Sequence, residues 1–220
     1  MADDNLTMWN RFADIDPAFT KPISGKPYRG TSPNPHYVIR CLTEMFGPVG
    51  VGFGWEVTAE GFQPLGDEVL HWCRIRFWHG EGPGFAAYGQ TKALMKTKSG
   101  MMTDEDAPKK SLTDAITKAA AQVGVGANIF LGRWDDNRYV EQVASEYRAA
   151  DESAANAKRT EEFMATIAGA KTLDALGAAW PAIYRALTSL PDEMAERVTK
   201  AKDRRKEVLT GDKGTSDAQA

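Results

Sequence analysis

Alternating apolar and polar positions predict a three-stranded sheet in the middle of the chain. Strand-like runs lie at about 53–63, 67–79 and 84–93. They are separated by Gly66-Asp67 and by the glycine- and proline-rich residues 80–84, and such breaks are typical of hairpin turns. The three runs should therefore pair in sequence order as an antiparallel meander.

The central run divides its side chains between two chemically different faces. Successive strand side chains point to opposite sides of a sheet, so every second residue shares a face. One face then holds His71, Cys73, Ile75 and Phe77, and the other holds Trp72, Arg74, Arg76 and Trp78. The first set is typical of a core, whereas the second is aromatic and basic.

Helical spacing predicts helices both before and after the three strands along the chain. A short amphipathic helix follows Pro35 and ends at Gly47-Pro48. A second helix begins after Asp104 and ends near Gly124, and its apolar stripe can cover the meander. That stripe consists of Leu112, Ala115, Ile116, Ala119 and Val123. A third helix is predicted at about 136–149, whereas the density of Pro, Gly, Ser and Thr disfavours regular structure in residues 17–35.

Beyond residue 150 the composition shifts to Ala, Glu, Lys and Arg, which indicates a small module of two or three helices. Its apolar stripes contain Phe163, Ile167, Leu173, Leu176, Trp180, Met194, Val198 and Val208. The polar residues 211–220 are predicted to be disordered. The chain is thus predicted to be α+β, with a β-β-β-α core in residues 1–150 and a helical module in 151–210.

Charge restricts any nucleic-acid site to a local patch. The net charge is −3, which argues against a uniformly basic surface. Residues 21–120 hold 12 Lys or Arg against 10 Asp or Glu, so positive charge is weakly concentrated there.

Cys41 and Cys73 are flanked by apolar residues, and we expect both to be reduced and buried. With neither a signal peptide nor a membrane-spanning run, a soluble cytoplasmic protein without a membrane partner is expected.

Several catalytic signatures are missing from the sequence. It has no phosphate loop of the form GxxxxGK[ST], and no Asp-x-Lys or Glu-x-Lys pair typical of metal-dependent nucleases. Two acidic clusters, Asp104-Glu105-Asp106 and Asp135-Asp136, could hold Mg²⁺, but helix starts explain them better. The histidines lack metal-type spacing, and His71 is interpreted as a core-facing residue. We therefore predict neither a cofactor nor an enzymatic active site.

The residues that could hold single-stranded DNA are basic side chains with aromatic platforms nearby. Trp72 and Trp78 are the stacking candidates. The candidate phosphate contacts are Arg74, Arg76, Lys92, Lys96, Lys98, Lys110, Lys118 and Arg133. Two alternatives stay open at this point. The tryptophans could fill a second apolar layer or a subunit interface, and Lys110, Asp114 and Lys118 could form a solvated salt-bridge ladder.

Short fragments between about Gly25 and Val140 resemble a known family. They include Gly25-x-x-Tyr28-x-Gly30-Thr31, Thr43-Glu44-Met45-Phe46-Gly47-Pro48, Gly52-x-Gly54-Trp55, Tyr88-Gly89, Lys109-Lys110-Ser111-Leu112-Thr113-Asp114-Ala115, and Leu131-Gly132-x-Trp134-Asp135-Asp136-Asn137-x-Tyr139-Val140. In order and spacing these fragments resemble the phage single-strand annealing proteins (Sak-type annealases) related to the eukaryotic annealing recombinase Rad-fifty-two.

The resemblance implies an ATP-independent protein that binds single-stranded DNA and anneals complementary strands in homologous recombination. It implies a homo-oligomer, a ring or a helical filament, with DNA in a continuous basic groove. It also implies DNA contacts at Lys118 and at Lys96 or Lys98. Eukaryotic members carry a longer basic run on this helix, where this chain has Thr117, Ala120 and Ala121, so Arg74, Arg76 and Arg133 could replace it.

Two other function classes remain as alternatives. One is a metal-dependent nuclease that uses Asp104, Asp106, Asp135 or Asp136, and the other is a structural or adaptor oligomer. A single-strand binding protein or an exonuclease is a candidate further partner. For a protein of phage origin, the expected compartment is the bacterial host cytoplasm.

Overall fold

The structure, a computed structural model that describes residues 4–23 and 30–216, is α+β with an antiparallel four-stranded sheet. Its strands, which pair in the order β3-β4-β5-β6, are β3 (Phe53–Leu65), β4 (Glu68–His79), β5 (Phe85–Thr97) and β6 (Gly100–Thr103). A separate small hairpin pairs β1 (Thr20–Pro22) with β2 (Thr31–Pro33). The helices are α1 (Asp4–Phe12), α2 (Pro35–Phe46), α3 (Ala107–Gln122), α4 (Ala127–Phe130), α5 (Asn137–Gly169), α6 (Leu173–Leu187) and α7 (Asp192–Ser216).

The chain divides into two compact units, residues 1–144 and 145–220. The first contains the sheet together with α1 to α4, and the second is helical. The division falls inside α5, which continues without interruption across the composition change near residue 150. No glycine or proline occurs between Gly132 and Gly169, so nothing in the backbone ends the helix earlier.

The predicted assignment of the two faces of β4 is confirmed. His71, Cys73, Ile75 and Phe77 are buried, and none is more than 1% exposed. Trp72, Arg74 and Trp78 are half-buried, and Arg76 is exposed. The meander also pairs as predicted, since β4 lies between β3 and β5 with antiparallel neighbours on both sides.

Helix α3 covers the apolar face of the sheet, as its stripe predicts. Ala115, Ile116 and Ala119 are buried, and the hydroxyl of Ser111 donates to the His71 carbonyl at 3.1 Å. The helix lies so close to β5 that a Cβ on Gly89 would be 2.0 Å from the Ser111 carbonyl oxygen. Burial of this apolar face is the main stabilising contribution to the first unit.

Helix α2 has the boundaries that its end signals predict. The Asn34 side chain accepts from the backbone N–H groups of His36 and Tyr37, which satisfies two free donors at the helix start. At the other end Gly47 adopts φ 96°, a conformation that favours glycine. Val38, Cys41 and Leu42 form the buried side of the helix.

Two expectations about strands are corrected. Residues 17–35 were expected to lack regular structure, but β1 and β2 form a hairpin there. Strand β6, which the sequence did not indicate, pairs with the end of β5 through a turn at Lys98-Ser99. The Thr97 hydroxyl donates to the Gly100 carbonyl at 2.7 Å, and Gly100 has φ 121°, so the turn is specified by local chemistry.

The second unit packs the apolar stripes of α6 and α7 against the end of α5. Ile167, Leu176 and Val198 are buried, and Phe163, Leu173, Trp180 and Met194 pack against them. Val208 is 54% exposed, and its neighbour Leu209 is buried in its place. Helix α7 continues to Ser216, so it enters the segment for which the composition predicts disorder, and residues 217–220 lie outside the described part. Among the helices described here, none is long and apolar enough to cross a membrane.

Candidate nucleic-acid interface

The face of the sheet opposite α3, here called the open face, carries two tryptophans seated on glycines. In the β3–β4 register Trp78 lies opposite Gly54, and Trp72 lies opposite Gly61. A Cβ on Gly54 would be 2.6 Å from the Trp78 ring, and a Cβ on Gly61 would be 3.5 Å from the Trp72 ring. Each indole therefore occupies the space above a glycine and remains partly exposed. Such rings are suitable platforms for stacking.

Two arginines lie between the tryptophans. The Arg74 guanidinium donates to the Thr58 hydroxyl at 3.0 Å, and the same hydroxyl donates to the Arg74 carbonyl. Arg76 lies 3.4 Å from the carboxylate of Glu56. In the described chain Arg74 makes no ion pair with a carboxylate, so its charge remains available to an anion.

Strand β5 adds three polar side chains to the open face. Tyr88, Gln90 and Lys92 lie opposite Arg74, Trp72 and Leu70, and all three are exposed. Tyr88, which is 56% exposed, is a site residue that the sequence reasoning missed. The alternation used for β4 would have found it if it had been applied to β5 as well.

Lys92 is held by a neighbouring carboxylate. Its ammonium lies 2.5 Å from Glu68, whose second oxygen accepts from the backbone N–H of Lys96. The hydrogen bond from Lys92, followed by that from Lys96, holds the pKa of the Glu68 carboxyl below its usual value. Lys96 lies 3.8 Å from Asp67, and Lys98 is exposed at the β5–β6 turn. These lysines therefore border the end of the sheet, beyond the tryptophan–arginine row.

Lys110 and Lys118 lie on α3, on the opposite side of the sheet from Arg74 and Arg76. Lys118 pairs with Asp114 at 2.8 Å, whereas Lys110 pairs with Asp104 at 2.6 Å. The proposed ladder is therefore present only in part. Within one chain the structure does not bring the α3 lysines and the β4 arginines into a single groove.

Asp114 has a second role that makes it more important for stability than its partner Lys118. It also accepts the backbone N–H of Gln90 at 3.1 Å. Lys118→Ala should therefore lower the free energy of unfolding by only about 0.2–0.5 kcal/mol. Asp114→Ala should lower it by about 1 kcal/mol, because the backbone donor also loses its acceptor. Urea denaturation of both variants measures the difference, and equal losses would contradict this assignment.

A groove runs along the exposed side of α3, on the helix-covered side of the sheet. It consists of two neighbouring depressions of about 440 and 600 Å³ that share Pro35, Lys109, Thr113 and Thr117. The first is mainly apolar and includes Trp55, and the second includes Lys21 and Lys110. The sequence does not connect Lys21 or Trp55 with α3, because β1 and β3 are distant from the helix along the chain.

Arg133 belongs to a structural cluster around Asp14. The Asp14 carboxylate accepts from the Tyr139 hydroxyl at 2.6 Å, from Asn128 at 2.8 Å and from the Trp134 indole at 3.2 Å. The Arg133 guanidinium lies 5.9 Å from the centre of the Tyr139 ring. Burial, followed by the hydrogen bond to Asp14, raises the pKa of Tyr139, which keeps the phenol protonated as a donor. The Trp134 and Tyr139 motif thus joins the N-terminal segment to the start of α5.

Three carboxylates of the acidic clusters, those of Asp104, Asp106 and Asp136, accept hydrogen bonds from nearby donors. Asp104 pairs with Lys110, and Asp106 pairs with Lys109 at 2.9 Å, which lowers the pKa of Asp106. Asp106 precedes α3 as predicted, but its side chain makes no capping hydrogen bond. Asp136 accepts the backbone N–H of Arg138 at 2.9 Å at the start of α5. No group of three or more His, Cys, Asp or Glu suited to a metal occurs in the parts of the chain that the structure describes.

Three buried side chains, Cys41, Cys73 and His71, carry nucleophilic or basic groups. Both cysteines are free and buried as predicted, and burial, followed by the charge of Glu44, raises the pKa of the Cys41 thiol to about 11. His71 is core-facing as predicted, with Nε2 3.8 Å from Glu60. Its buried Nδ1 has no hydrogen-bond partner among the residues described.

The fold and the open face define an α+β protein with an aromatic and basic sheet surface. A comparison with protein-family models found no match to this chain. A search of curated proteins likewise found no matching relative.

Proposed function

We propose that this protein binds single-stranded DNA and anneals complementary strands without ATP, in homologous recombination. The observation that supports this most is the open face, where Trp72 and Trp78 flank Arg74 and Arg76 beside the exposed Tyr88. Aromatic rings with cations between them match the alternation of bases and phosphates in a single strand. The family resemblance of the sequence supports the same function.

The chemistry of the open face favours binding without sequence preference. Arginines contact phosphates and release counterions, which gives affinity that depends on salt but not on sequence. Stacking on an indole is also independent of the base sequence, since every base has a π-face. Watson–Crick edges would stay accessible to an incoming complementary strand.

We further propose that the first unit is a β-β-β-α annealase core that forms a homo-oligomer, a ring or a helical filament. Strand β3 lies at the edge of the sheet, and in the described residues no other strand pairs with its outer edge. Three apolar side chains of β3 are exposed: Val57 is 40% exposed, Phe62 is 62% exposed and Leu65 is 52% exposed. Val57 and Phe62 lie on the helix-covered side of the sheet, at positions that α3 does not reach. A long apolar edge strand is typical of a surface that another chain covers.

Mixing complementary oligonucleotides with the full chain in EDTA and without ATP tests the function directly. Faster duplex formation than in protein-free controls is expected. In a parallel reaction with Mg²⁺ in place of EDTA, loss of strands would instead support the nuclease alternative, and the absence of both activities would support an adaptor.

The location of the site is tested by two matched double variants. Arg74→Gln/Arg76→Gln removes two charges from the open face, and Lys110→Gln/Lys118→Gln removes two from the helix side. If the strand contacts both arginines, the first variant should reduce the slope of log affinity against log salt by roughly 1.4, at roughly 0.7 per contact. The second should leave the slope unchanged. Fluorescence anisotropy at several salt concentrations measures both.

The reverse pattern, with loss only in the lysine variant, would place the strand in the groove along α3. Annealing could then still occur, so the two experiments separate an incorrect site from an incorrect function. Each variant should first be shown to retain the wild-type oligomeric state and melting temperature.

A further inference from the structure

A small cleft in the second unit lies between α6 and α7. Its volume is about 300 Å³, which is enough for one large side chain. The walls and floor come mainly from α6, and α7 supplies two lysines at the rim. The lining residues are Leu173, Leu176, Gly177, Trp180, Lys202 and Lys206.

Gly177 forms part of the cleft in the middle of a helix, where glycine is unfavourable. A glycine costs roughly 1 kcal/mol relative to alanine in a helix interior. A Cβ at Gly177 would have no heavy atom within 4 Å, so no contact inside the chain requires glycine there. The missing side chain instead leaves open space beside Leu173 and Trp180.

Two lysines lie at the rim of the cleft, and among the described residues one of them carries an unpaired charge. The Lys202 ammonium lies 4.9 Å from the centre of the Trp180 ring and 2.6 Å from Asp203. Lys206 is exposed, and its ammonium has no ion-pair partner in the described part of the chain. Tyr184, one helical turn beyond Trp180, is 62% exposed and extends the aromatic surface outward.

We infer that this cleft binds a peptide segment of a partner protein in which one large apolar side chain is flanked by acidic residues. The apolar side chain would fill the space above Gly177 and contact Leu173 and Trp180. The acidic residues would pair with Lys206 and Lys202 at the rim. Such an anchored contact is typical of short peptide recognition, in which one buried residue provides most of the affinity.

A nucleobase fits this cleft less well than an apolar side chain. Apart from the two rim lysines, every lining side chain is apolar or absent. The polar edge of a base would therefore be buried without hydrogen-bond partners, which is costly. The second unit is also not basic overall, since residues 145–220 contain 12 Lys or Arg and 13 Asp or Glu.

The test uses the full chain and fluorescein-labelled synthetic peptides of about ten residues. One peptide carries a central Phe among Asp and Glu residues, a second has Ala in place of Phe, and a third has Lys in place of the acids. We expect only the first to bind measurably by fluorescence anisotropy, with weaker binding at high salt. Failure of the first peptide to bind at millimolar protein concentration would overturn the inference.

A Cβ at Gly177 has no heavy atom within 4 Å, so Gly177→Leu should fold and melt at or above the wild-type temperature, with its side chain in the cleft. It should weaken binding of the Phe peptide by about 10-fold or more, since the apolar anchor loses its space. Gly169→Leu is the matched control, because a Cβ there also has no neighbour within 4 Å and Gly169 does not line the cleft. Equal affinities of the two leucine variants would contradict the proposed site.

The rim is tested separately by Lys202→Gln/Lys206→Gln, which should weaken binding roughly 3- to 10-fold at low salt. Lys158→Gln/Lys200→Gln removes the same charge elsewhere in the second unit and should have no effect. Arg74→Gln/Arg76→Gln should also leave peptide binding intact, so this inference can fail or hold independently of DNA binding. If Gly177→Leu weakened binding of an oligonucleotide while no peptide bound, the cleft would be a nucleic-acid subsite and the inference wrong.

Discussion

Gly89→Ala should lower the free energy of unfolding by about 3 kcal/mol or more. The added Cβ would lie 2.0 Å from the Ser111 carbonyl oxygen and 2.4 Å from the Ala115 nitrogen. Both are backbone atoms within α3, so the conflict cannot be relieved by a side-chain rotation. The helix would have to move away from the sheet, and its packing against Cys73 and Ile75 would loosen. A lower urea midpoint at unchanged m-value is the expected measurement.

Gly61→Ala is the control for this substitution. It lies in β3 on the open face, where a Cβ would be 3.5 Å from the Trp72 ring, an ordinary contact distance. Its stability should be unchanged or slightly higher, because glycine weakens a strand interior. If both alanine variants remained within about 0.5 kcal/mol of the wild type, α3 would not be packed against β5 as closely as described.

Asp14→Ala should also cost about 3 kcal/mol, because three donors lose one shared acceptor. The Tyr139 hydroxyl, the Asn128 amide and the Trp134 indole all donate to this carboxylate. Asn128 and Trp134 are buried, so water cannot readily replace the lost acceptor. Thermal and urea denaturation measure the loss.

Asp16→Ala is the matched control, since its carboxylate accepts only from the Ala18 backbone N–H in the described contacts. A loss of about 1 kcal/mol is expected there, as for an ordinary helix cap. Asp14→Asn, which keeps one acceptor oxygen, should fall between the two. A cost for Asp14→Ala no larger than that for Asp16→Ala would show that the cluster does not join the segments.

The alternating pattern of β4 predicts the sheet well because burial on one face imposes it directly. His71 to Phe77 show the alternation at every position. Strand β6 could not be predicted in this way, because Met101 and Met102 are both about half exposed and follow no alternation. The length of α5 was missed because a change in composition was interpreted as a boundary, although no glycine or proline interrupts the chain between Gly132 and Gly169.

The sequence predicts the candidate site residues within each strand or helix, but not how the folded chain brings these elements together. The sequence places Trp72 and Arg74 on one face of β4, but not the glycines of β3 on which the tryptophans lie. The apolar stripe of α3 also predicts which face of the sheet the helix covers, so the separation of Lys118 from Arg74 follows from two predictions that were not combined. Asp14 was missed because its partner Tyr139 is 125 residues away.

The meander also has a kinetic consequence. In the large sheet, every strand pairs only with its neighbour in sequence. Such pairings close short loops, so the sheet can form with little entropic cost and early in folding. The cluster at Asp14 connects the two ends of the first unit, and it can form only after the chain between them has folded. We therefore expect the hairpins to belong to the folding nucleus and the contacts of Asp14 to form after the rate-limiting step.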